Sequence, residues 1–412
     1  MLAEGTRAER LARAAEGVLR TNWREGVRDG VPYAFTCPST PRYRHQWYWD
    51  SCFHAISWRR VDPARARDEL RTLLRSGDGG GFVPHTVFWD YPALWRRAPL
   101  YACNSVIRNR ATAHIQTPLL AVAWETVADS STDEPEFRHE AIDELKRHYD
   151  WLAAARDPDG DGLITILFPD ESGMDDSPKY DHVYGWMAHH LPGYFWLVER
   201  SRRLGYSAHK IVARQGEHVE DVLVNVAYAM GLRALSRLSD DQLYVSRAEQ
   251  TERALLERCY DEQSGLFFDL AGPDERQVPI STWASLAPLT LSDLPDDVRR
   301  RLVEEHLLHP RRYRAHTGIP SVALEEPTFN PHFDRFRCWR GPSWMPTAWF
   351  LVPPLRELGY HEDADRIVSS LAEAVERDGF REYYNPLTGK GLAAKRFGMS
   401  TLLIDLLDPT SP

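Results

Sequence analysis

What this chain lacks narrows the classes of protein it can belong to. Its cysteines are odd in number, scattered and never spaced Cys-x-x-Cys, namely Cys37, Cys52, Cys103, Cys259 and Cys338. This usage predicts reduced thiols rather than disulfides or a zinc site. No apolar run approaches the ~18 residues of a membrane span, and the charged stretch 1–22 lacks the apolar centre of a signal peptide. We therefore expect a cytoplasmic protein.

Basic patches and cofactor motifs are also lacking. The 412 residues carry 60 acidic and 50 basic side chains, a net charge of −10, with no basic stripe, so nucleic acid is not an expected partner. The chain has no P-loop, GxGxxG, GxSxG or HExxH, and His85, His114 and His182 stand alone. We expect a small-molecule partner, no membrane partner, no cofactor and no metal in the site, and we leave a homo-oligomer open.

One acidic loop has two interpretations. Residues 157–162 read Asp-Pro-Asp-Gly-Asp-Gly, which resembles the acidic half of a calcium-binding loop. The glutamate that closes an EF-hand loop is not in place. The sequence therefore favours an ordinary turn, with a cation site as the alternative.

Aromatic side chains, in contrast, are plentiful and clustered. The chain has 14 Trp, 17 Tyr and 15 Phe. Six tryptophans fall in two short segments: Trp47, Trp49, Trp58, Trp339, Trp344 and Trp349. An indole ring stacks on the apolar face of a sugar while its N–H reaches a polar partner. The clusters predict a carbohydrate site, and aromatic packing in a helical core is the alternative.

Helical periodicity dominates the chain. Apolar positions at three- and four-residue spacing predict about a dozen helices, over 7–20, 52–58, 64–76, 112–128, 135–155, 191–204, 217–238, 246–260, 295–308, 346–358, 361–377 and 400–407. Strand signals are confined to 265–270 and 162–167.

Long loops rich in Gly, Pro and aromatics connect these helices, at 30–49, 78–109, 157–181, 309–343 and 379–398. Loops of such length are usually functional in a compact domain. No Ser/Gly linker divides the chain, so residues 1–412 are predicted to form a single all-α domain. We predict an (α/α)6 barrel, a ring of six helical hairpins, with lid-like loops near 78–109, 157–181 and 379–398. A helical array of another shape is the alternative.

Two carboxylates stand among turn formers and aromatics rather than among Lys and Arg. Gly173 and Pro178 frame Asp175 in a turn, and Phe168 and Met174 predict an apolar surround that raises its pKa, as a general acid requires. The alternative for Asp175 is an Asx-turn residue that caps a helix. That alternative is favoured for Asp176.

Glu382 is the second such carboxylate. It lies between Phe380 and Tyr383, shortly before an Asn-Pro turn, where it could activate a water molecule as a general base. A glutamate bonded to loop backbone is the alternative. Two carboxylates brought together by a fold are the working parts of a glycosidase.

Two further polar residues lie between aromatics. Asp50 follows Trp49 and is predicted to accept hydrogen bonds from sugar hydroxyls, with a helix N-cap as the alternative. Arg340 lies between Trp339 and Trp344, where it could bind a carboxylate or neutralise the catalytic ones. Its alternative is an ion pair that ties a loop.

The motifs together resemble glycoside hydrolase family 63, which includes hydrolases of mannosylglycerate and glucosylglycerate as well as processing α-glucosidases. The resemblance runs from 43 to 397. It rests on motifs at 46–50 (Gln-Trp-Tyr-Trp-Asp), 81–85 (Gly-Phe-Val-Pro-His), 171–178 (Glu-Ser-Gly-Met-Asp-Asp-Ser-Pro), 219–225 (Val-Glu-Asp-Val-Leu-Val-Asn), 339–344 (Trp-Arg-Gly-Pro-Ser-Trp) and 382–389 (Glu-Tyr-Tyr-Asn-Pro-Leu-Thr-Gly).

The resemblance implies an (α/α)6 barrel and an inverting mechanism, with Asp175 as general acid and Glu382 as general base. The implied substrate contacts lie in or beside the matching motifs, at Tyr43, Trp47, Trp49, Asp50, His85, Gly173, Trp339, Arg340 and Trp344.

In length the chain resembles the glycosylglycerate branch of the family. The oligosaccharide-processing members carry an extra N-terminal β-domain, which the 42 residues before the first motif are too few to form. A charged aglycone needs an anion site, for which Arg214 is the candidate, with Gln116 and Tyr180 as helpers. Two departures fall where the aglycone should lie: Cys338 replaces a frequent Tyr, and Gln116 belongs to a shifted form of the family's Thr-Gln-Pro-Pro.

The sequence thus predicts an inverting exo-α-glycosidase that hydrolyses 2-O-α-mannosyl-D-glycerate, 2-O-α-glucosyl-D-glycerate or both to the free sugar and D-glycerate. Mannose and glucose differ in one hydroxyl orientation, which leaves the choice between them open. The alternatives are an α-glucosidase acting on short α-glucosides, a sugar 2-epimerase on the same barrel, and a sugar-binding protein without activity.

Overall fold

The computed structural model describes residues 5–89, 111–130, 134–185, 191–334 and 337–408. Cys103 and the later part of the predicted lid 78–109 lie outside these residues. The chain is helix-rich, at 51%. Its α-helices are α1 Arg7–Asn22, α2 Tyr48–Trp58, α3 Pro63–Arg75, α4 Leu120–Asp129, α5 Ile142–Arg156, α6 Asp181–Tyr184, α7 Leu191–Arg203, α8 Ala208–Val212, α9 Val222–Ser239, α10 Gln242–Ala254, α11 Asp296–Arg301, α12 Met345–Glu357, α13 His361–Asp378 and α14 Leu403–Leu406.

Tighter and wider helical turns extend this set. The 3-10 segments are Pro135–Arg138, Pro169–Ser172, Pro178–Tyr180, Trp283–Thr290 and Met399–Leu402, and the π-helical segments are Leu255–Cys259 and Leu302–Leu307. Within the described ranges, no helix is long and apolar enough to cross a membrane.

Short antiparallel strands accompany the helices. They are β1 Trp23–Arg28, β2 Val31–Thr36, β3 Gln46–Trp47, β4 Thr86–Val87, β5 Val219–Glu220, β6 Tyr260–Asp261, β7 Leu266–Phe267, β8 Asp269–Ala271, β9 Arg276–Val278, β10 Arg381–Tyr384 and β11 Gly391–Lys395. They form the two-stranded sheets β1–β2, β3–β4, β6–β7 and β10–β11 and the three-stranded sheet β5–β8–β9. The predicted strand at 265–270 corresponds to β7 and β8. The strand predicted at 162–167 is wrong, because among these residues only Ile166 forms a β-bridge, which pairs it with Val219.

The β1–β2 hairpin and the start of α4 differ from the helix and loop predictions for physical reasons. The β1–β2 hairpin turns at Asp29 and Gly30, whose φ values of 51° and 81° suit the Asp-Gly turn of a two-residue hairpin; the sequence contained this signal. The helix predicted at 112–128 begins only at Leu120, because the residue before Pro118 is biased towards extended backbone.

Helices consecutive in sequence pack in pairs, as in α2 with α3, α9 with α10 and α12 with α13, while α2, α4 and α9 pack side by side. Their apolar faces enter one large core cluster that extends from Leu11 to Leu406. The helix-rich core therefore supports the loops, short strands and helix ends that carry the site.

Candidate active site

Both predicted catalytic carboxylates face one cavity. It has a volume of about 240 Å³ and is lined by Pro38, Tyr43, Trp47, Trp49, Asp50, His85, Gln116, Asp170, Gly173, Asp175, Cys338, Trp339, Trp344, Glu382, Phe397 and Met399. Its lining residues come from widely separated parts of the chain. A space of this size suits a small ligand rather than an extended chain.

Glu382 lies on β10, where its side chain is held by two donors. The Tyr43 hydroxyl donates to Oε1 at 3.0 Å, and the Ala394 N–H of β11 donates to Oε2 at 3.0 Å. Arg42 Nη1 lies 3.9 Å from Oε2. Glu382 is only 6% exposed, and this burial raises its pKa, while the hydrogen bonds and Arg42 lower it. A partly desolvated carboxylate with fixed orientation suits a general base.

Asp175 lies in the turn that follows the 3-10 segment Pro169–Ser172. Gly173 shapes this turn with a φ of 76°, and a Cβ there would lie 2.6 Å from the Trp49 ring, so only glycine fits. The predicted apolar surround of Asp175 is wrong. Met174 and Phe168 turn into the core at 1% exposure each, whereas Asp175 is exposed towards the cavity.

Carboxylates surround Asp175 instead. Burial, and next the charge of Asp175, raise the pKa of Asp170 to about 7 and raise that of buried Asp176 well above its usual range. Carboxyl groups that share a site retain protons near neutrality, because like charges close together cannot all ionise. Burial and like-charge coupling together therefore favour protonated carboxyl groups in this loop, at Asp170 and Asp176 beside Asp175.

Asp176 also fixes the opposite wall of the cavity. Its carboxylate accepts hydrogen bonds from the N–H groups of Cys338 and Trp339, the latter at 2.7 Å. A capping role within its own turn therefore does not describe Asp176 fully, because the Asp176 carboxylate joins its loop to the loop of Cys338 and Trp339. Asp175, Asp176 and Cys338 have potential ligand atoms within 4.8 Å of one another. Burial and Asp176 raise the pKa of the Cys338 thiol, which disfavours a metal-binding thiolate.

The indole side chains form an aromatic wall. Trp339 stacks on Trp344 with ring centroids 4.1 Å apart and an interplanar angle of 7°, and Trp49 lies 6.1 Å from Trp339. Trp47 contributes a further ring beside Tyr43, at 6.0 Å. Four of the six clustered tryptophans therefore line the cavity.

The other two tryptophans belong to the core. Trp58 is fully buried, and its Nε1 donates to Thr36 at 2.8 Å. Trp349 packs edge-on against Phe350, and its Nε1 donates to Asp405 at 3.2 Å. For these two residues the core-packing alternative holds.

Three predicted polar contacts also line the cavity. Asp50 lies in the first turn of α2, whose N-cap is Trp47 without a side-chain cap, so the N-cap alternative for Asp50 is wrong. Burial raises the pKa of Asp50 to about 7. Gln116 accepts the Trp49 N–H through Oε1 at 2.9 Å. His85 Nδ1 lies 2.7 Å from Thr86 Oγ1, and burial lowers the pKa of the His85 imidazole, which favours the neutral ring.

Three predicted substrate contacts do not line this cavity. Arg340 donates to both Asp181 carboxylate oxygens at 2.7 Å, which is the loop-tying ion pair of its alternative interpretation. Tyr180 is fully buried and donates to Asp221 at 2.5 Å. Arg214 lines a different cavity, with Trp196 and Arg200 among its neighbours. The anion site predicted at Arg214 is therefore separate from the carboxylate pair.

Sequence reasoning missed part of the lining. Pro38, Phe397 and Met399 carry no polar signal and reach the cavity only through the fold. Asp170 was within reach of sequence reasoning, since it precedes Asp175 in the same motif. Cys338 was noted only as a departure, yet it lines the cavity.

A pair of carboxylates facing one indole-lined cavity on a helix-rich scaffold is the arrangement of a glycoside hydrolase. The profile of the "Mannosylglycerate hydrolase MGH1-like glycoside hydrolase domain" family matches residues 43–400. The chain belongs to this family.

Similar proteins agree over nearly the whole chain. A mannosylglycerate hydrolase of Thermus thermophilus is 30% identical over 90% of this chain and 95% of its own. A glucosylglycerate hydrolase of Mycolicibacterium hassiacum is 28% identical over 85% of this chain and 89% of its own. The crystal structure of a GH63 mannosylglycerate hydrolase from Thermus thermophilus with Tris and D-glycerate matches with a TM-score of 0.82 at 29% identity, covering 96% of this chain and 99% of that one.

Proposed function

We propose that this glycoside hydrolase cleaves 2-O-α-mannosyl-D-glycerate, 2-O-α-glucosyl-D-glycerate or both, with inversion at the anomeric carbon. The observation that carries the proposal is that Asp175 and Glu382 line one small cavity together with four indole rings. The names of the relatives supply the substrate class.

The chemistry assigns different tasks to the two carboxyl groups. Asp175, next to proton-retaining Asp170 and Asp176, gives a proton to the glycosidic oxygen as the bond to the anomeric carbon breaks. Glu382 takes a proton from a water molecule that attacks the same carbon from the opposite face. An inverting enzyme leaves room for this water, with carboxyl groups about 6.5–9.5 Å apart. The products are the free sugar and D-glycerate.

The remaining lining residues would bind one sugar ring. Trp49, Trp339 and Trp344 offer apolar faces, and Asp50 offers hydrogen-bond acceptors for hydroxyl groups. The small volume favours an exo mode of action, in which a single sugar enters. The glycerate carboxylate would be bound by residues other than Arg214, because Arg214 lines a separate cavity.

We also propose the finer features of the architecture. The helix pairs α2–α3, α9–α10 and α12–α13, together with the likeness to a GH63 structure, support a closed (α/α)6 ring. The core cluster from Leu11 to Leu406 supports a single catalytic domain. The loops 157–181 and 379–398 carry Asp175 and Glu382, and their closure over a bound substrate would exclude water.

The test is sugar release from mannosylglycerate, glucosylglycerate and a panel of α-glucobiosides, with NMR of the first-formed anomer. We expect release from one or both glycosylglycerates as the β-anomer, and strongly reduced release with Glu382→Gln. Preferred cleavage of the glucobiosides would favour an α-glucosidase. Conversion of free mannose to its epimer would favour a 2-epimerase, and ligand-induced tryptophan quenching without release would favour a binding protein.

A further inference from the structure

A second cluster of carboxylates lies away from the catalytic lining. Asp159, Asp161, Glu220 and Glu275 each place a carboxylate oxygen so that all four atoms lie within 4.8 Å of one another. They come from three segments: the loop 157–162 that follows α5, strand β5, and the turn between β8 and β9. Unlike the members of the catalytic pair, they do not line the 240 Å³ cavity.

Glu220 has no compensation for its burial. It is only 3% exposed, and its Oε2 atom has no hydrogen-bond partner among the described residues. A buried carboxylate without a partner is costly, and natural proteins place such groups beside a proton or a cation.

Arg258 neutralises only part of the cluster. Its guanidinium forms ion pairs with Asp161 and Glu275. One positive charge therefore faces four carboxylates, and no ion pair joins Glu220 to a cationic side chain among the described residues. The remaining negative charge favours a multivalent cation over another hydrogen bond.

The acidic loop is already folded around its own backbone. Asp157 accepts the N–H groups of Gly160 at 2.7 Å and Gly162 at 3.1 Å. Asp161 accepts the Leu163 N–H through Oδ1 at 2.8 Å. Such a loop presents its carboxylates with little further loss of conformational entropy.

We propose that Asp159, Asp161, Glu220 and Glu275 form a structural calcium site. Ca²⁺ prefers carboxylate and carbonyl oxygens at about 2.3–2.6 Å, so two of its ligands can be separated by up to ~5 Å, which accommodates four oxygens that all lie within 4.8 Å of one another. The closing glutamate that is missing from the EF-hand pattern in sequence is supplied by Glu220 of β5. The proposal favours the cation-site alternative for this loop over the ordinary turn.

The site has a structural role through its neighbours. Ile166 pairs with Val219, next to Glu220, through backbone hydrogen bonds of 2.8 and 3.1 Å. On the other side of Glu220, Asp221 caps α9 and binds Lys179 at 2.6 Å. A bound ion would fix the segment that leads into the turn of Asp175. It would act on stability, not on bond cleavage.

The experiment is calcium binding by calorimetry to the full chain after EDTA treatment, with thermal unfolding in CaCl2, MgCl2 and EDTA. We expect one Ca²⁺ per chain and a Tm increase of about 3 °C or more in millimolar CaCl2, with a smaller effect of Mg²⁺. Absence of binding and of any Tm shift would overturn the proposal.

Variants locate the site. Glu220→Gln and Asp159→Asn should each abolish the calcium-dependent increase in Tm, even if Glu220→Gln raises the Tm in EDTA by removing a buried charge. Asp274→Asn, an exposed residue of the same β8–β9 turn, should keep the full increase. Calcium binding that survives both cluster variants would place the ion elsewhere and refute the assignment. The readouts use no substrate, so they are independent of the proposed activity.

Discussion

The two sides of the cavity hold carboxylates in opposite ways. Glu382 on β10 is buried and receives two hydrogen bonds from Tyr43 and Ala394. Asp175 is exposed to the cavity on a glycine turn, between two carboxylates of raised pKa, Asp170 and Asp176. Donors that point at a carboxylate favour its charged form, whereas negative neighbours favour proton retention. This contrast supports the proposed base on the β10 side and the proposed acid on the 170–176 side, while burial keeps the pKa of Glu382 raised as well.

The largest expected effect comes from removing each carboxylate separately. Asp175→Asn and Glu382→Gln should each lower kcat on a glycosylglycerate by about 10²–10⁴-fold. A glycosyl fluoride needs no acid, because fluoride departs without a proton. We therefore expect Asp175→Asn to hydrolyse the α-mannosyl or α-glucosyl fluoride far better than Glu382→Gln does.

The opposite ranking on the fluoride would exchange the two roles. Equal losses on both substrates would mean that Asp175 contributes to binding rather than to protonation. Calorimetric binding of the intact substrate to each variant separates these outcomes, since a lost catalytic group leaves affinity largely unchanged.

A smaller effect is expected from Tyr43→Phe. The Tyr43 hydrogen bond lowers the pKa of Glu382, so its removal should raise that pKa. A base works in its ionised form, and activity falls as the pH drops through its pKa. The acid limb of the kcat/KM profile should therefore move to higher pH, with roughly tenfold lower activity on that limb.

The control for this variant is Tyr33→Phe, which alters a tyrosine that packs on Trp89 and does not line the cavity. An unchanged acid limb in Tyr43→Phe would show that Ala394 and Arg42 suffice to set the ionisation of Glu382.

On the side of the proposed acid, Asp176→Asn should act by displacing the backbone of Cys338 and Trp339, which Asp176 holds in place. The Cys338 and Trp339 N–H groups donate to different oxygens of Asp176. In Asn one of these oxygens becomes an NH2 group, and the buried donor left unsatisfied costs about 1–3 kcal/mol. We expect a lower Tm and a higher KM, because the Trp339 wall loosens, with a smaller loss of kcat than in Asp175→Asn. A loss of kcat equal to that of Asp175→Asn, at unchanged Tm, would instead make Asp176 the proton donor.

Sequence patterns predicted the two sides of the cavity unequally well. Motif positions such as Trp47, Trp339 and Glu382 were predictable because their neighbours in sequence form the same loops. Arg340 was not, since the partner that occupies its guanidinium, Asp181, lies in a helix far away in sequence. The exposure of Asp175 depended on whether Met174 turned inwards, which local composition does not encode.

The smallest effect tests a residue that belongs to neither side. Arg214 lines a cavity with Trp196 and Arg200, so Arg214→Gln should leave KM for a glycosylglycerate within about twofold, as expected of a substitution remote from the site. A residue that binds the glycerate carboxylate would behave differently, because its loss should raise KM for glycosylglycerates and spare an uncharged glycoside. Steady-state kinetics on both substrates distinguish these cases. A selective rise in KM would require the Arg214 region to approach the cavity when substrate binds. The glycerate would then be bound by a third region, besides the two that hold Asp175 and Glu382.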